Sequence, residues 1–591
     1  MPCSLRTRAH FRLSDMPSLL HRFCVSLTAI SLLAGAMILF TACDTANSPA
    51  ASEQTANLAL INGRVITVDA NHAEAQAIAI SGNEILAVGT TETVQGLIGD
   101  GTEVIELDGR LVIPGFIEGH GHFLGVGETQ MQLNLRDVAN WDEIVDMVEE
   151  AAAEAEEGEV ILGRGWHQED WDERPDPEVD GLPVHEALSA VSPDNPVVLT
   201  HASGHMRFAN AEAMRIAEVT ADTPNPEGGE IVRDAEGNAT GVFRQNAQGL
   251  LSPATERWDP DIAELAEMAA QEALSKGVTS MHDAGTPFSR LAELRELAEA
   301  DELGMRLWMM ARDSNENLRE NLADFRVTRL GEDRLTIGGV KKAIDGALGT
   351  HGAWMLEPYA DRDEHAGFNT TSMDELEEAA RLALEHDYQM AIHAIGDRGN
   401  RETLDLYERL FEEEGVNGAD LRWRIEHAQH LHPDDIDRFA ELGVTASMQG
   451  IHATSDGPWV PQRVGEERAR EGAYVWRSLW DSGALVTNGT DAPVEDIDPI
   501  QSYYATVTRH MADSTNFFEE QALSREEALR SYTINNAVAV FEDDIKGSLT
   551  PGKLADIVVL SEDILAMPAD EIPNAQVDVT ILGGRVVYER D

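Results

Sequence analysis

Apolar and polar residues alternate with a period of two at the two ends of the chain. The stretches are 58–107 (LALINGRVITVD, AQAIAISGNEILAVG, EVIEL) and 549–588 (LTPGKLADIVVLSED, VDVTILGGRVVY), each cut by Gly, Asn and Asp turn signals. Half-buried strands have this pattern, and it predicts a small β-sandwich domain formed from both chain ends, residues 58–110 and 541–591. Between them the rhythm changes. Short β-branched runs alternate with acidic helical stretches such as 261–274 and 374–386 (DELEEAARLALEH), as in parallel strands joined by helical crossovers. The strand candidates are 111–116, 278–282, 305–310, 340–344, 389–393, 422–427, 444–448 and 485–488. Eight such strands close a (β/α)₈ TIM barrel, so the expected fold class is α/β with the barrel in 111–540. Further strand-like runs within 123–275 (VILGRGW, PVVLTHAS, GEIVRD, ATGVFR) read as a large insertion after the first barrel strand. It would cap the face on which barrel active sites form. The acidic run 149–159 reads as a solvated helix face, and there is no internal repeat.

The first 42 residues break this pattern, with Arg6, Arg8, Arg12 and Arg22 against Asp15 and an apolar run from 23 to 42. A basic start, an apolar middle and small residues before a cysteine predict an export signal. Phe40-Thr41-Ala42-Cys43 resembles a lipobox with Phe40 in place of leucine, which makes Cys43 the lipidation site and 43–57 a tether. An ordinary signal peptide, an uncleaved anchor and a start at Met16 remain open. The expected location is the cell envelope or periplasm, with membrane contact only through this segment.

Composition narrows the function. Among 591 residues, 44 Lys plus Arg face 106 Asp plus Glu, a formal charge of −62. Such a field repels a polyanion and excludes nucleic acid as a partner. Disorder is excluded by 42% hydrophobic residues and ten tryptophans. The lysines are only Lys276, Lys341, Lys342, Lys546 and Lys553, and an acidic, lysine-poor chain suits a salty, halophilic-type medium that screens self-repulsion. The cysteines are Cys3, Cys24 and Cys43, so the folded body can use neither thiol catalysis nor disulfides. Metal chemistry is left to histidine and carboxylate.

Ligand-type residues stand at the ends of successive strand candidates. IEGHGH gives His120 and His122, which point the same way on an extended segment. Strand four carries Lys341, strand five ends with His393, strand six with His427, and strand eight is followed by Asp491. A single strand-end histidine is ordinarily a structural residue, but this set in barrel order converges on one mouth. The motifs VIPGFIEGHGH, GVTSMHDAG, VKKAIDGALG, MAIHAIGD, RIEHAQ, NGTDAPV, SYTINNA and GSLTPGKLADIVVL together resemble the amidohydrolase superfamily. The resemblance is to amidohydrolase family 3, the group with N-substituted formamide deformylases, and runs from about residue 58 to the end.

The resemblance implies a hydrolase with one or two divalent ions, zinc foremost, held by His120, His122, Lys341, His393, His427 and Asp491. In similar proteins the strand-four lysine is carboxylated, because an ammonium with a pKa near ~10.4 is a poor ligand. Lys341 matches that position. Lys342 is its register competitor, since adjacent strand residues face opposite sides, and a lysine paired with Asp345 is the structural alternative. Asp491 would also be the general base and acid. His205 in HASGHMRFAN would face the substrate, polarising its carbonyl or fixing its orientation. His201 lies four residues before it, but no HExxH glutamate accompanies the pair. Trp166, Gln449 and His452 are candidate substrate-binding residues, with packing or support as the alternative for the last two. His167 replaces an acid common beside Trp166, and Arg244-Gln245 departs from a commoner Arg-Glu pattern.

No phosphate loop, GxSxG elbow or dinucleotide fingerprint occurs. The expectation is a metal-dependent hydrolase of a C–N bond in a small N-substituted amide or formamide. Its rivals are a hydrolase of cyclic amides, imines or esters and a non-catalytic binding lipoprotein, and a homodimer is left open.

Overall fold

The computed structural model describes residues 55–136, 138–512 and 515–590. The expected signal segment, Cys43 and residues 43–54 of the tether lie outside them. Ala56 already donates a backbone hydrogen bond to Leu97 O, and Asn57 one to Ile80 O in the first sheet. Among the described residues no helix is long and apolar enough to cross a membrane.

Both chain ends build two facing sheets. One has four strands, in the order Glu84–Gly89, Ala77–Ser81, Leu58–Ile61 and Glu103–Glu106. The other has six and takes Ile557–Leu560, Val577–Leu582 and Arg585–Glu589 from the C-terminal end. Period-two patterning sorts its residues between two cores. Ile557 and Val559 pack with Leu58, Leu60 and Ile80 between the sheets, whereas Val558 and Leu560 join the barrel core. The run 111–116, expected as the first barrel strand, is divided between the two bodies. Leu111–Pro114 pairs antiparallel with Ile557–Leu560, and the barrel strand is Phe116–Gly121. Pro114 lacks the N–H needed to continue a ladder, and the chain changes sheets at Gly115.

The parallel barrel runs Phe116–Gly121, Val278–Thr286, Arg306–Ala311, Leu335–Ala343, Gln389–Ala394, Arg424–His427, Thr445–Gln449 and Val486–Gly489, each pairing with the next. Strands one and eight meet through fewer bonds. Asp491 N donates to His120 O (2.8 Å), and the buried Asn536 amide donates to both Ile117 O (2.6 Å) and Asn488 O (2.9 Å). Gly119 permits this approach, since a Cβ there would lie 2.4 Å from Asn488 O and from Asn536 Oδ1. Trp308, Met310 and Ala391 fill the interior together with Ala539 and Val540. Lys546, bonded to Ser280, closes the N-terminal end. The acidic helical stretches form Ile262–Ser275, capped by Asp261, and Met373–Glu385, which starts with a Ser372–Glu375 capping box.

The expected insertion of 123–275 is narrower in the structure. Helices Phe123–Met131 and Ile262–Ser275 bury Phe123, Val126, Leu265 and Ala269 in the barrel core. The inserted body is the six-stranded sheet between them, ordered Gly229–Arg233, Ala239–Gln245, Met206–Ala209, Val197–His201, Ile161–Trp166 and Leu133–Asn134.

Candidate metal centre

The C-terminal ends of strands one, six and eight bring His120, His427 and Asp491 together. One ligand atom from each lies within 4.8 Å of the others. His122 Nε2 approaches the same Asp491 Oδ1 at 3.2 Å, and His120 Nε2 lies 3.4 Å from it. The His393 ring stands 4.5 Å from that of His427. Regular alternation would send Glu426 and His427 to opposite faces. The strand ends there instead, with φ of 74° at His427, and both side chains reach the interior. Asp491 also has positive φ, 59°, so both ligand-type residues sit on left-handed backbone, the sort of local strain that clusters at functional sites.

Each of two histidines has its far nitrogen occupied. His120 Nδ1 meets Glu426 Oε2, whose carboxylate also receives Arg424 Nε at 2.6 Å. Burial opposes ionisation of Glu426, but Arg424 and His120 outweigh it and hold the carboxyl well below its ordinary range. His120 therefore donates from Nδ1. His427 Nδ1 lies 2.7 Å from Gln449 Oε1, and Gln449 Nε2 donates to Ser447 O (3.0 Å), which fixes the amide orientation. Gln449, expected to bind substrate, thus holds His427 from behind. Burial pushes the His120 pKa down to about 4 and those of His393 and His427 well below the usual value, so the rings are neutral.

His120 Nε2, His393 Nε2 and Asp491 Oδ1 are buried and have no hydrogen-bond partner among the described residues. Buried polar atoms are nearly always paired. His120, His427 and Asp491 each bring a ligand atom within 4.8 Å of the others, and imidazole nitrogens with a carboxylate oxygen are the donor set of a divalent metal, which these residues fit, while His393 Nε2 lies 3.5 Å from Asp345 Oδ1.

The strand-four lysines differ in surroundings. Lys341 is buried and lines the cavity, while Lys342 Nζ donates to Asp313 O (2.7 Å) on the other side. Burial brings the Lys341 pKa down to about 8, and the Arg312 charge adds to this. Asp345 is occupied by backbone, accepting from Trp354 N (2.8 Å), Ile395 N (3.0 Å) and Gly396 N (2.8 Å).

A cavity of about 840 Å³ opens above these residues, between the barrel mouth and the inserted sheet. A second lobe of about 420 Å³ shares His205, His393, His427 and Asp491 with it, and His452 and His167 line that lobe. His452 stacks on His427 with centroids 6.3 Å apart. His205 faces His393 at 5.1 Å. Its tautomer follows from a chain of bonds. Thr350 Oγ1 donates to Ala347 O (3.1 Å), so it accepts from Gln245 Nε2 (3.0 Å), and Gln245 Oε1 accepts from His205 Nδ1 (2.9 Å). With its pKa lowered by burial to about 4, His205 is neutral and presents an Nε2 lone pair to the cavity. That corrects the expectation that it could polarise a carbonyl, for which a donor is required. His201 has both nitrogens engaged, with Ser203 and Gln168.

Trp166, expected at the substrate, is fully buried in the core of the inserted body and donates from Nε1 to Leu199 O (3.2 Å). It has the parity of Leu162 and Arg164, which do line the cavity. A register shift at Gly165, with φ of 113°, turns it inward.

Sequence reasoning passed over several residues. Glu426 lies inside RIEHAQ, where strict alternation would place it on the face opposite His427. Glu118, two residues before His120 on the same face, accepts Thr490 N (2.7 Å) and Thr490 Oγ1 (3.0 Å), and its position in IEGHGH was a usable signal. Arg164 and Arg207, both on the cavity wall, carried no sequence signal.

A model of the amidohydrolase family matches residues 103–588. Protein LONG AFTER FAR-RED 3 of Arabidopsis thaliana is 35% identical over 90% of this chain and 92% of its own length. N-substituted formamide deformylase of Arthrobacter pascens is 29% identical over 91% of this chain and 99% of its own. Among solved structures, an uncharacterized metal-dependent hydrolase from Pyrococcus horikoshii superposes with a TM-score of 0.70 at 27% identity, covering 87% of this chain and 99% of that one.

Proposed function

Because this chain belongs to the amidohydrolase family, whose members are metal-dependent hydrolases, we propose that it hydrolyses the C–N bond of a small N-substituted amide or formamide. The observation that carries the reading is the convergence of His120, His427 and Asp491, each bringing a ligand atom within 4.8 Å of the others, at the cavity. The formamide deformylase of Arthrobacter pascens supports this choice of bond.

In this reading His120, His122, Lys341, His393, His427 and Asp491 hold one or two divalent ions, with zinc favoured by the nitrogen-rich set. Such an ion, when bound, supplies Lewis-acid polarisation of the carbonyl and acidifies water. Asp491 accepts the proton of the attacking water on its carboxylate and passes it to the leaving nitrogen. Glu426 and Gln449 keep His120 and His427 in the tautomers that leave Nε2 free. His205 accepts the scissile N–H at Nε2 and so orients the amide. Lys341 serves as a carbamate: its neutral amine attacks CO₂, a C–N bond forms as one C=O π bond opens, one proton leaves the nitrogen, and a single negative charge shared by two oxygens results.

The test is hydrolysis of a panel of N-formyl, N-acyl and cyclic amides and esters by metal-loaded protein, read as release of amine. Turnover of the open-chain amides is expected, with Asp491→Asn lowering kcat at least about 10²–10⁴-fold while some metal stays bound. Hydrolysis confined to esters or cyclic amides, or full activity in Asp491→Asn, would overturn this assignment.

A further inference from the structure

One wall of the cavity is a face of the inserted sheet, and its register places two arginines in one row. Arg164 pairs with Thr200, and Thr200 with Arg207, so the three form one row across adjacent strands. Directly paired residues point to the same side of a sheet, and all three line the cavity. The neighbouring row, Leu162, Val198 and Ala209, is apolar. Two strands apart, the arginines are not directly opposed, and they flank Thr200 on one face of the sheet. In a chain with 106 acids this arrangement is conspicuous, since most of its arginines pair with carboxylates.

Here they do not. The Arg207 side chain has no hydrogen bond or ion pair among the described residues, and its Nε is buried without a partner. Arg164 meets only carbonyl oxygens, Pro493 O at 3.4 Å and Ala202 O at 3.3 Å. Glu128, on helix Phe123–Met131, contributes a negative charge from the side without bonding either guanidinium, and Arg290 adds a positive one. Arg164, Thr200 and Arg207 line the same cavity as Asp491.

We propose that the Arg164–Thr200–Arg207 row is a subsite for a carboxylate on the substrate, so that the amide cleaved is of the N-acyl or N-formyl amino acid class. This rests on the amide-hydrolase reading above and deepens it. The two guanidiniums offer planar pairs of N–H donors that match a carboxylate, with the Thr200 hydroxyl between them. The anion fixes the substrate at one end while His205 and the metal-centre residues act on the other.

The test compares N-formylglycine and N-formylalanine with their carboxamides on metal-loaded protein. The acids are expected to show kcat/KM about 10- to 100-fold above the carboxamides. In Arg207→Gln the ratio should fall toward one. That change leaves no bonded partner stranded, and Arg164→Gln provides a second variant, with thermal unfolding confirming that each is folded. Calorimetric binding of the same pairs to metal-loaded Asp491→Asn reads the subsite without turnover. If nothing is hydrolysed but the acids bind more tightly and Arg207→Gln removes the difference, the reaction is wrong and the subsite stands. Equal binding and equal turnover of acid and carboxamide, or an unchanged ratio in both variants, would overturn it.

Discussion

Lys341 and Lys342 are chemically identical neighbours, and only their surroundings give them different roles. The Lys342 amine is bonded to Asp313 O, and the Lys341 amine is buried at the cavity with its pKa lowered to about 8. The proposed carbamate needs an amine that faces the cavity, and of the two lysines Lys341 lines it. Metal-loaded protein equilibrated with carbon-13 bicarbonate should therefore give one carbamate resonance, absent in Lys341→Ala and retained in Lys342→Ala. A resonance that survives Lys341→Ala would assign the modification elsewhere. The types and spacing of His120, His122, His393, His427 and Asp491 were visible in the chain. The roles of Gln449, Glu426 and Trp166 were not, because each depends on a contact with a distant strand or on a local break in alternation.

Strands are where sequence pattern performs best here. Seven of the eight barrel strands overlap the expected runs within a few residues, because parallel strands buried on both faces read as continuous apolar runs. The first run failed at Pro114, where one apolar stretch serves two sheets. Closure of the barrel is a separate matter. Strands one and eight are bridged by Asn536, from a helix well beyond both in sequence. Asn536→Ala leaves Ile117 O and Asn488 O without that donor inside the barrel and should cost about 1–3 kcal/mol. A lower thermal unfolding midpoint checks this, and an unchanged midpoint would show that the backbone bonds close the barrel unaided.

At the scale of the molecule, the net charge of −62 is borne by one chain whose ends pack together under the barrel. Repulsion among surface carboxylates opposes compaction, and salt shortens its range from about 10 Å at 0.1 M to about 3 Å at 1 M. The unfolding midpoint should therefore rise between those sodium chloride concentrations, by roughly 1 °C per kcal/mol relieved for a folded body of this size. A flat or falling midpoint would mean that the acidic composition is not an adaptation to salt.

Period-two ends, a parallel-strand middle and ligand residues at strand ends are local properties, so the chain by itself determined the sandwich, the barrel and the histidine and aspartate set. Local patterns carry no information about which distant side chain meets which. Only the tertiary structure decided that Lys341 rather than Lys342 faces the cavity, that Glu426 and Gln449 hold the histidines, that Trp166 packs away from the cavity, and that Arg164 and Arg207 share one row. Each of these follows from register and strand-end geometry, which are fixed when the whole sheet closes.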